Sequence, residues 1–185
     1  VLAATKSVLR GADGIGPSIS GYHQGLVRNL IEMYEGTSFS VGDLEFTATE
    51  AKHSAPYSVG LRISTSQGGI GYTSDTGYFS GVSDSYTDLR VLVLGTMWPR
   101  GNPIHIHLNT DEALRILEES RPKACILTHF GMRMLNAGPE KEARFLQEET
   151  GIPVVAAIDG MKAHISDEIT LLSPRKSDPP ITIDA

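Results

Sequence analysis

The sequence predicts an α/β fold of layered strands and helices, and three patterns predict it. Between residues 43 and 74 apolar residues recur at every second position, as in strands with one covered face. Leu89–Leu94, Ala124–Thr128 and Val154–Ile158 are short, nearly continuous apolar runs, as in strands covered on both faces. Between and after those runs stand segments with helix-start and helix-stop residues, so strand and helix alternate along the second half.

Residues 1–16 are Gly-rich and weakly periodic. Ile19, Tyr22, Leu26, Leu30 and Met33 then recur at helical spacing up to Gly36, which predicts one amphipathic helix, weakened by Gly21 and Gly25. From Asp43 the period becomes two: Leu44, Phe46 and Ala48 alternate with Glu45, Thr47 and Thr49, a half-buried strand. Val59, Leu61 and Ile63 alternate again, and Gln67-Gly68-Gly69 supplies a turn before Ile70–Ser74, so a hairpin is expected. Asp111–Glu119 reads as a helix capped by Asn109 or Thr110 and closed before Pro122. Pro139–Thr150 is a second helix, with proline at its start and Gly151 past its end. Residues 173–185, with Pro174, Pro179 and Pro180, read as an extended tail on a single domain.

A chain of 185 residues with 40% hydrophobic content can bury one sizeable core. Its formal charge of −6 argues against a broad nucleic-acid footprint. One cysteine, Cys125, excludes an intramolecular disulfide, and its apolar neighbours Ala124, Ile126 and Leu127 predict a buried, inert thiol in a reducing compartment. No stretch has the roughly 20 apolar residues of a membrane span. No membrane partner is therefore expected, and the cytoplasm is the expected location.

Three segments place a metal-competent side chain at a predicted strand end: Ala51-Lys52-His53-Ser54, Tyr72-Thr73-Ser74-Asp75-Thr76-Gly77 and Leu127-Thr128-His129-Phe130-Gly131. Imidazole nitrogen and carboxylate oxygen suit a divalent ion such as zinc, which polarises water at neutral pH. Any one of these histidines alone has a structural reading, a hydrogen-bonded residue at a strand end. In order, however, the His-Ser, Val-Gly-Leu-Arg-Ile, Tyr-Thr-Ser-Asp-Thr-Gly and Ile-Leu-Thr-His-Phe-Gly segments resemble the second half of the metallo-β-lactamase superfamily, nearest its ribonuclease-Z-like branch, over residues 41–160.

The resemblance implies part of an αββα sandwich and a hydrolase that uses metal-activated water on a phosphodiester or related ester. It implies two divalent ions, zinc first and manganese or iron as alternatives. His53 would hold one ion, His129 the other, and Asp75 would bridge them. The family's earlier H-x-H-x-D-H ligand cluster is not in the sequence and is expected upstream of Val1, so this chain alone is expected to bind metal weakly and turn over little. It is also expected to associate with the missing N-terminal segment or a second copy of itself.

In Pro103-Ile104-His105-Ile106-His107-Leu108 an extended backbone would put His105 and His107 on one face. His107, followed by Leu-Asn-Thr-Asp-Glu-Ala, resembles the branch's histidine before a short helix, which makes it the candidate catalytic proton donor. The sequence departs from ribonuclease Z in two places. Gly95-Thr96-Met97-Trp98 stands where that enzyme has an acidic residue, and only a short hairpin separates His53 from Asp75, where it has a tRNA-binding arm. A small phosphodiester or ester is thus the expected substrate ahead of tRNA. A lactone, thioester or β-lactam hydrolase, and an inactive binding module, are the alternatives. Arg100 in its Pro/Gly loop is a candidate anion contact or a solvated side chain, and His23 lines a pocket or merely packs. Gly11–Gly16 lacks the Gly-Lys-Ser/Thr ending of a phosphate loop.

Overall fold

The computed structural model describes residues 1–102, 104–175 and 177–184. In chain order it contains β1 (Leu2–Thr5), α1 (Lys6–Arg10), α2 (Gly21–Gly25), β2 (Leu30–Met33), β3 (Ser38–Val41), β4 (Leu44–Glu50), β5 (Val59–Thr65) and β6 (Gly68–Tyr72). After a 3-10 turn at Val82–Tyr86 come β7 (Leu89–Trp98), β8 (Leu108–Asn109), α3 (Thr110–Ser120), β9 (Ala124–Thr128), α4 (Met132–Ala137) and α5 (Pro139–Thr150). The chain closes with β10 (Val154–Ala156), β11 (Lys162–Ile165), β12 (Glu168–Leu172) and β13 (Ile181–Asp184). No helix among the described residues is long and apolar enough to cross a membrane.

The main sheet runs β10-β9-β7-β6-β5-β4-β3, with β8 pairing the end of β7. Its first four strands are parallel and the rest antiparallel, so the chain reverses direction at the β5–β6 hairpin. The apolar runs are continuous because both faces are covered. Leu92 and Leu94 of β7, Cys125 and Leu127 of β9, and Val154 of β10 face Ile116 and Leu117 of α3 and Leu146 of α5. Their neighbours Val91, Ala124 and Ile126 face Ile169, Leu171 and Ile183 of the small β11-β12-β13 sheet. Each fully buried leucine of this kind contributes roughly 1.5–3 kcal/mol through removal from water. Cys125 is fully buried, and burial pushes its thiol far above the ordinary value, so it is an inert core residue.

Farther along the sheet one face is less covered. Register places Phe39 opposite Phe46, Val41 opposite Leu44 and Phe46 opposite Ile63, all on one face. The Phe39 and Phe46 rings stack at 5.1 Å, while Val41 and Leu44 remain exposed.

Helix boundaries follow the capping chemistry. Asn109 accepts from Glu112 N–H at 2.9 Å and Glu112 returns a bond to Asn109 N–H at 3.0 Å, a complete capping box. Gly151 closes α5 in the left-handed region at φ 71°.

The single helix expected over Ile19–Met33 does not form. Five residues, Gly21–Gly25, make α2, with Ser20 accepting from His23 N–H, and Leu30–Met33 pairs in parallel with β1 from Leu2↔Leu30 to Thr5↔Met33. Two glycines had already weakened the helix, and pairing with a distant strand outweighed what was left. The C-terminal segment is also more than a tail, since Ile181–Asp184 pairs with β12 and buries Ile183.

Candidate metal centre

Strand direction brings the candidate residues to one rim. His53 follows β4, Asp75 follows β6 and His129 follows β9; these strands run the same way, so their carboxyl ends share an edge of the sheet. His107 precedes β8, which pairs with the end of β7 at that edge. One ligand atom from each of His53, Asp75 and His107 lies within 4.8 Å of the others. His129 Nε2 stands 3.3 Å from Asp75 Oδ1, and its ring centroid is 5.2 Å from that of His107. All four residues therefore meet.

Hydrogen bonds stitch the rim together. Gly77 N–H donates to Lys52 O at 2.8 Å and Lys52 N–H donates to the buried Thr76 Oγ1 at 2.9 Å, which locks the Asp75 turn to the residue before His53. Thr73 N–H donates to Val93 O at 3.1 Å, tying the same turn to β7. Gly77 has no side chain because there is no room for one: a Cβ there would stand 1.9 Å from His105 O. Ser74 at φ 57° and His129 at φ 62° both hold left-handed backbone without being glycine, a strain of order 1–3 kcal/mol that clusters at functional sites. Two residues beyond His129, Gly131 N–H donates to Met97 O at 3.1 Å.

The imidazoles are arranged as a chain. Ala55 N–H donates to His53 Nδ1 at 3.1 Å, which leaves Nε2 to carry the ring proton, and that nitrogen stands 3.4 Å from His107 Nε2. His107 is buried, and burial holds its pKa below the ordinary imidazole value. The charge of His53 acts the same way, Asp75 opposes it, and His129 adds a smaller lowering. The His53 and His107 imidazoles and the Asp75 carboxylate, with the His129 imidazole beside Asp75, are a donor set that fits a divalent first-row cation, which takes such donors at about 2.0–2.2 Å.

The other candidates separate from the rim. His105 and His107 do not share a face: a turn with an isolated Ile104↔His107 bridge replaces the expected extended backbone, leaving His105 exposed and His107 buried. Pro103, which begins that segment, lies outside the described residues. Arg100 is half-exposed, but its guanidinium is already engaged within the protein. It pairs with Glu142 Oε1 at 3.2 Å and its guanidinium lies 4.0 Å from the Phe145 ring centroid. His23 is exposed on α2 beside Ser20 Oγ at 2.9 Å, and His164 lies in β11. Thr73, Thr76 and Gly77 were not singled out from sequence; the small buried residues around Asp75 in Thr-Ser-Asp-Thr-Gly were the available signal.

Residues 2–130 match the model of the beta-lactamase superfamily domain. The chain belongs to that superfamily. An uncharacterized protein of Methanocaldococcus jannaschii is 30% identical over 167 residues, 89% of this chain and 62% of that protein. The chain thus spans under two thirds of that relative's length. Among solved structures, the metallo-beta-lactamase fold protein YhfI from Bacillus subtilis superposes with a TM-score of 0.62 at 19% identity, over 72% of this chain and 56% of the other. A diphosphatase of the PhnP family gives 0.61 at 16% identity, over 89% and 58%. The short form of human tRNase Z gives 0.52 at 18% identity, over 69% and 46%. These likenesses show the metallo-beta-lactamase fold, which a structure described as a metal-dependent hydrolase of Parabacteroides distasonis also shares at a TM-score of 0.54.

Proposed function

We propose that this rim serves metal-dependent hydrolysis of a small phosphodiester or a related ester. The observation that carries the reading is the meeting of His53, Asp75, His107 and His129 at the carboxyl edge of the sheet. His53, Asp75 and His129 would hold divalent metal, two ions with zinc first and manganese or iron as alternatives. Such ions supply Lewis-acid polarisation of the ester and an acidified water. The likeness to a diphosphatase and to a tRNase Z supports a phosphorus-centred substrate ahead of a lactone, thioester or β-lactam.

His107 has the protein's own chemical task. Its Nε2 faces the other donors from a buried position; burial disfavours the protonated ring, so a proton held there is given up readily to the departing oxygen. The Thr73 and Thr76 bonds keep Asp75 in place meanwhile. A small diester ranks above tRNA because the chain carries a net charge of −6 and β5 and β6 form a short hairpin with no arm. We place the protein in the cytoplasm, where a single buried thiol needs no oxidant. The half-exposed Phe39, Val41, Leu44 and Phe46 face would be covered by a further segment or a second copy of the chain.

The test is turnover of bis(p-nitrophenyl) phosphate, a homoserine lactone, a thioester and a β-lactam, with zinc, manganese or iron added to metal-stripped protein. Diester hydrolysis that depends on metal and is lost in Asp75→Asn supports the reading. Turnover confined to the acyl substrates would replace it, and stoichiometric partner binding without turnover would favour the interaction-module alternative.

A further inference from the structure

Residues of the loop between β7 and His107 line a second cleft beside the segment that carries His107. Trp98, Gly101, Asn102, Ile104 and Arg133 line this cleft of about 270 Å³. Backbone contacts link it to the centre. Trp98 follows Met97, whose carbonyl takes the Gly131 N–H two residues past His129, and Ile104 bridges to His107.

Two arginines flank the loop, and they differ in what they are doing. Arg100 is engaged by the buried Glu142 carboxylate and the Phe145 ring. Arg133 has no carboxylate within ion-pair distance among the described residues. Its guanidinium lies 4.5 Å from the Trp98 ring centroid, and Nη1 donates to Asn102 Oδ1 at 3.3 Å. A freely solvated arginine loses much rotamer freedom when it binds an anion, whereas stacking and the Asn102 bond have already restricted this one. A guanidinium offers five N–H donors in a planar fork, so most remain free for a two-oxygen acceptor.

We propose that Arg133, held against Trp98, forms an anion subsite that binds a second oxyanion of the substrate, a terminal phosphate or carboxylate separate from the bond that is cleaved. The word substrate rests on the ester-hydrolase reading; the subsite itself does not. The substrate class is narrowed to small diesters or esters with a distal anionic group.

Trp98 is the sole tryptophan of the chain, so its emission reports on the cleft directly. Its indole N–H is buried without a partner among the described residues, and the ring is therefore held by packing and by Arg133 rather than by a hydrogen bond. Inorganic phosphate, and in a second arm succinate, is titrated into the protein at constant ionic strength while Trp98 emission is followed. The expected result is a saturable change with at least one of the two anions, which also tells phosphate from carboxylate preference. The change is lost in Arg133→Ala, weakened about tenfold in Arg133→Lys because the planar fork is gone, and retained in His53→Ala. A kinetic arm compares two diesters that differ only in a distal phosphate: Arg133→Ala shifts the ratio of their KM values about tenfold against the phosphate-bearing one. Lack of a saturable response to either anion overturns the subsite, as does a response that survives Arg133→Ala or vanishes in His53→Ala. Failure of every diester to react counts against the hydrolase reading alone and leaves the fluorescence result to decide the subsite.

Discussion

Gly77→Ala is the sharpest probe of how the rim is built. The added methyl would stand 1.9 Å from His105 O, whereas ordinary contact begins near 3.4 Å, so the two segments must part by roughly 1.5 Å. Neither can move freely. Gly77 is tied to Lys52 and so to the His53 segment, while His105 is two residues from His107. Side chains that ligate or catalyse tolerate far less, with metal bonds held to about 0.2 Å and a misplacement of about 1 Å costing about 10²-fold in rate. If the strain is relieved on the Asp75 side, zinc affinity falls about 10²-fold; if on the His107 side, turnover falls by a similar factor with metal retained. Overall stability falls by about 1–3 kcal/mol, as for an overpacked site. Zinc affinity is read by competition with a chromogenic chelator, turnover on a diester, and folding by thermal melting. Gly16→Ala, which meets open space, is the control. A folded Gly77→Ala protein with both zinc affinity and turnover unchanged would refute the idea that this close approach sets the geometry.

Three other outcomes follow from the same contacts. His107→Ala should lower turnover about 10²-fold while metal content, measured by mass spectrometry, stays intact; loss of metal instead would make His107 a ligand rather than the proton donor. Metal binding through His53 Nε2 requires the proton to sit on Nδ1, so the Ala55 N–H loses its acceptor, and its amide resonance should shift on zinc addition in the metal-stripped protein. An unmoved Ala55 amide would exclude Nε2 ligation in this ring orientation. For Glu142, burial alone would raise the carboxyl pKa, but bonds from Thr110 and Arg100 together with the Arg100 charge outweigh it and hold the pKa below the ordinary value. Its stabilising effect is therefore present above the unfolded-state pKa of about 4.3 and is lost as pH falls through the lower folded value. Glu142→Gln should cost about 1–2 kcal/mol at pH 7, with Arg100 exposed enough to be resolvated, and the gap to the unaltered protein should close in acid. A gap that is constant from pH 7 to pH 3 would show that the charge does not matter.

Much of the fold was legible because its signals are local. Alternation in Leu44–Ala48 and Val59–Ile63, the Asn109 cap and the Pro139-to-Gly151 punctuation each act within a few residues, and the structure places strands and helices there. The first 36 residues were misread for the opposite reason. Leu30–Met33 is a strand only because Leu2–Thr5 lies beside it, a pairing across 28 positions that no periodicity announces. The same limit explains Arg100 and Arg133: a loop arginine looks free until the Glu142 carboxylate of a later helix is seen to hold it, and Arg133 gains interest only when Trp98 is found beneath it.

The candidate site was legible in chemical type, histidine and aspartate at strand ends, but its support was not. Its most informative residues break local rules. Where backbone must be left-handed, glycine is the unstrained choice, yet Ser74 and His129 occupy such positions directly beside or within the rim. A glycine at 129 would relieve the strain and remove the imidazole. Left-handed backbone alone does not single out His129, since Asp13, Tyr57, Asp88 and Arg121 adopt it away from the rim; what sets His129 apart from the strand histidine His164 is that this backbone demand coincides with a side chain 3.3 Å from Asp75.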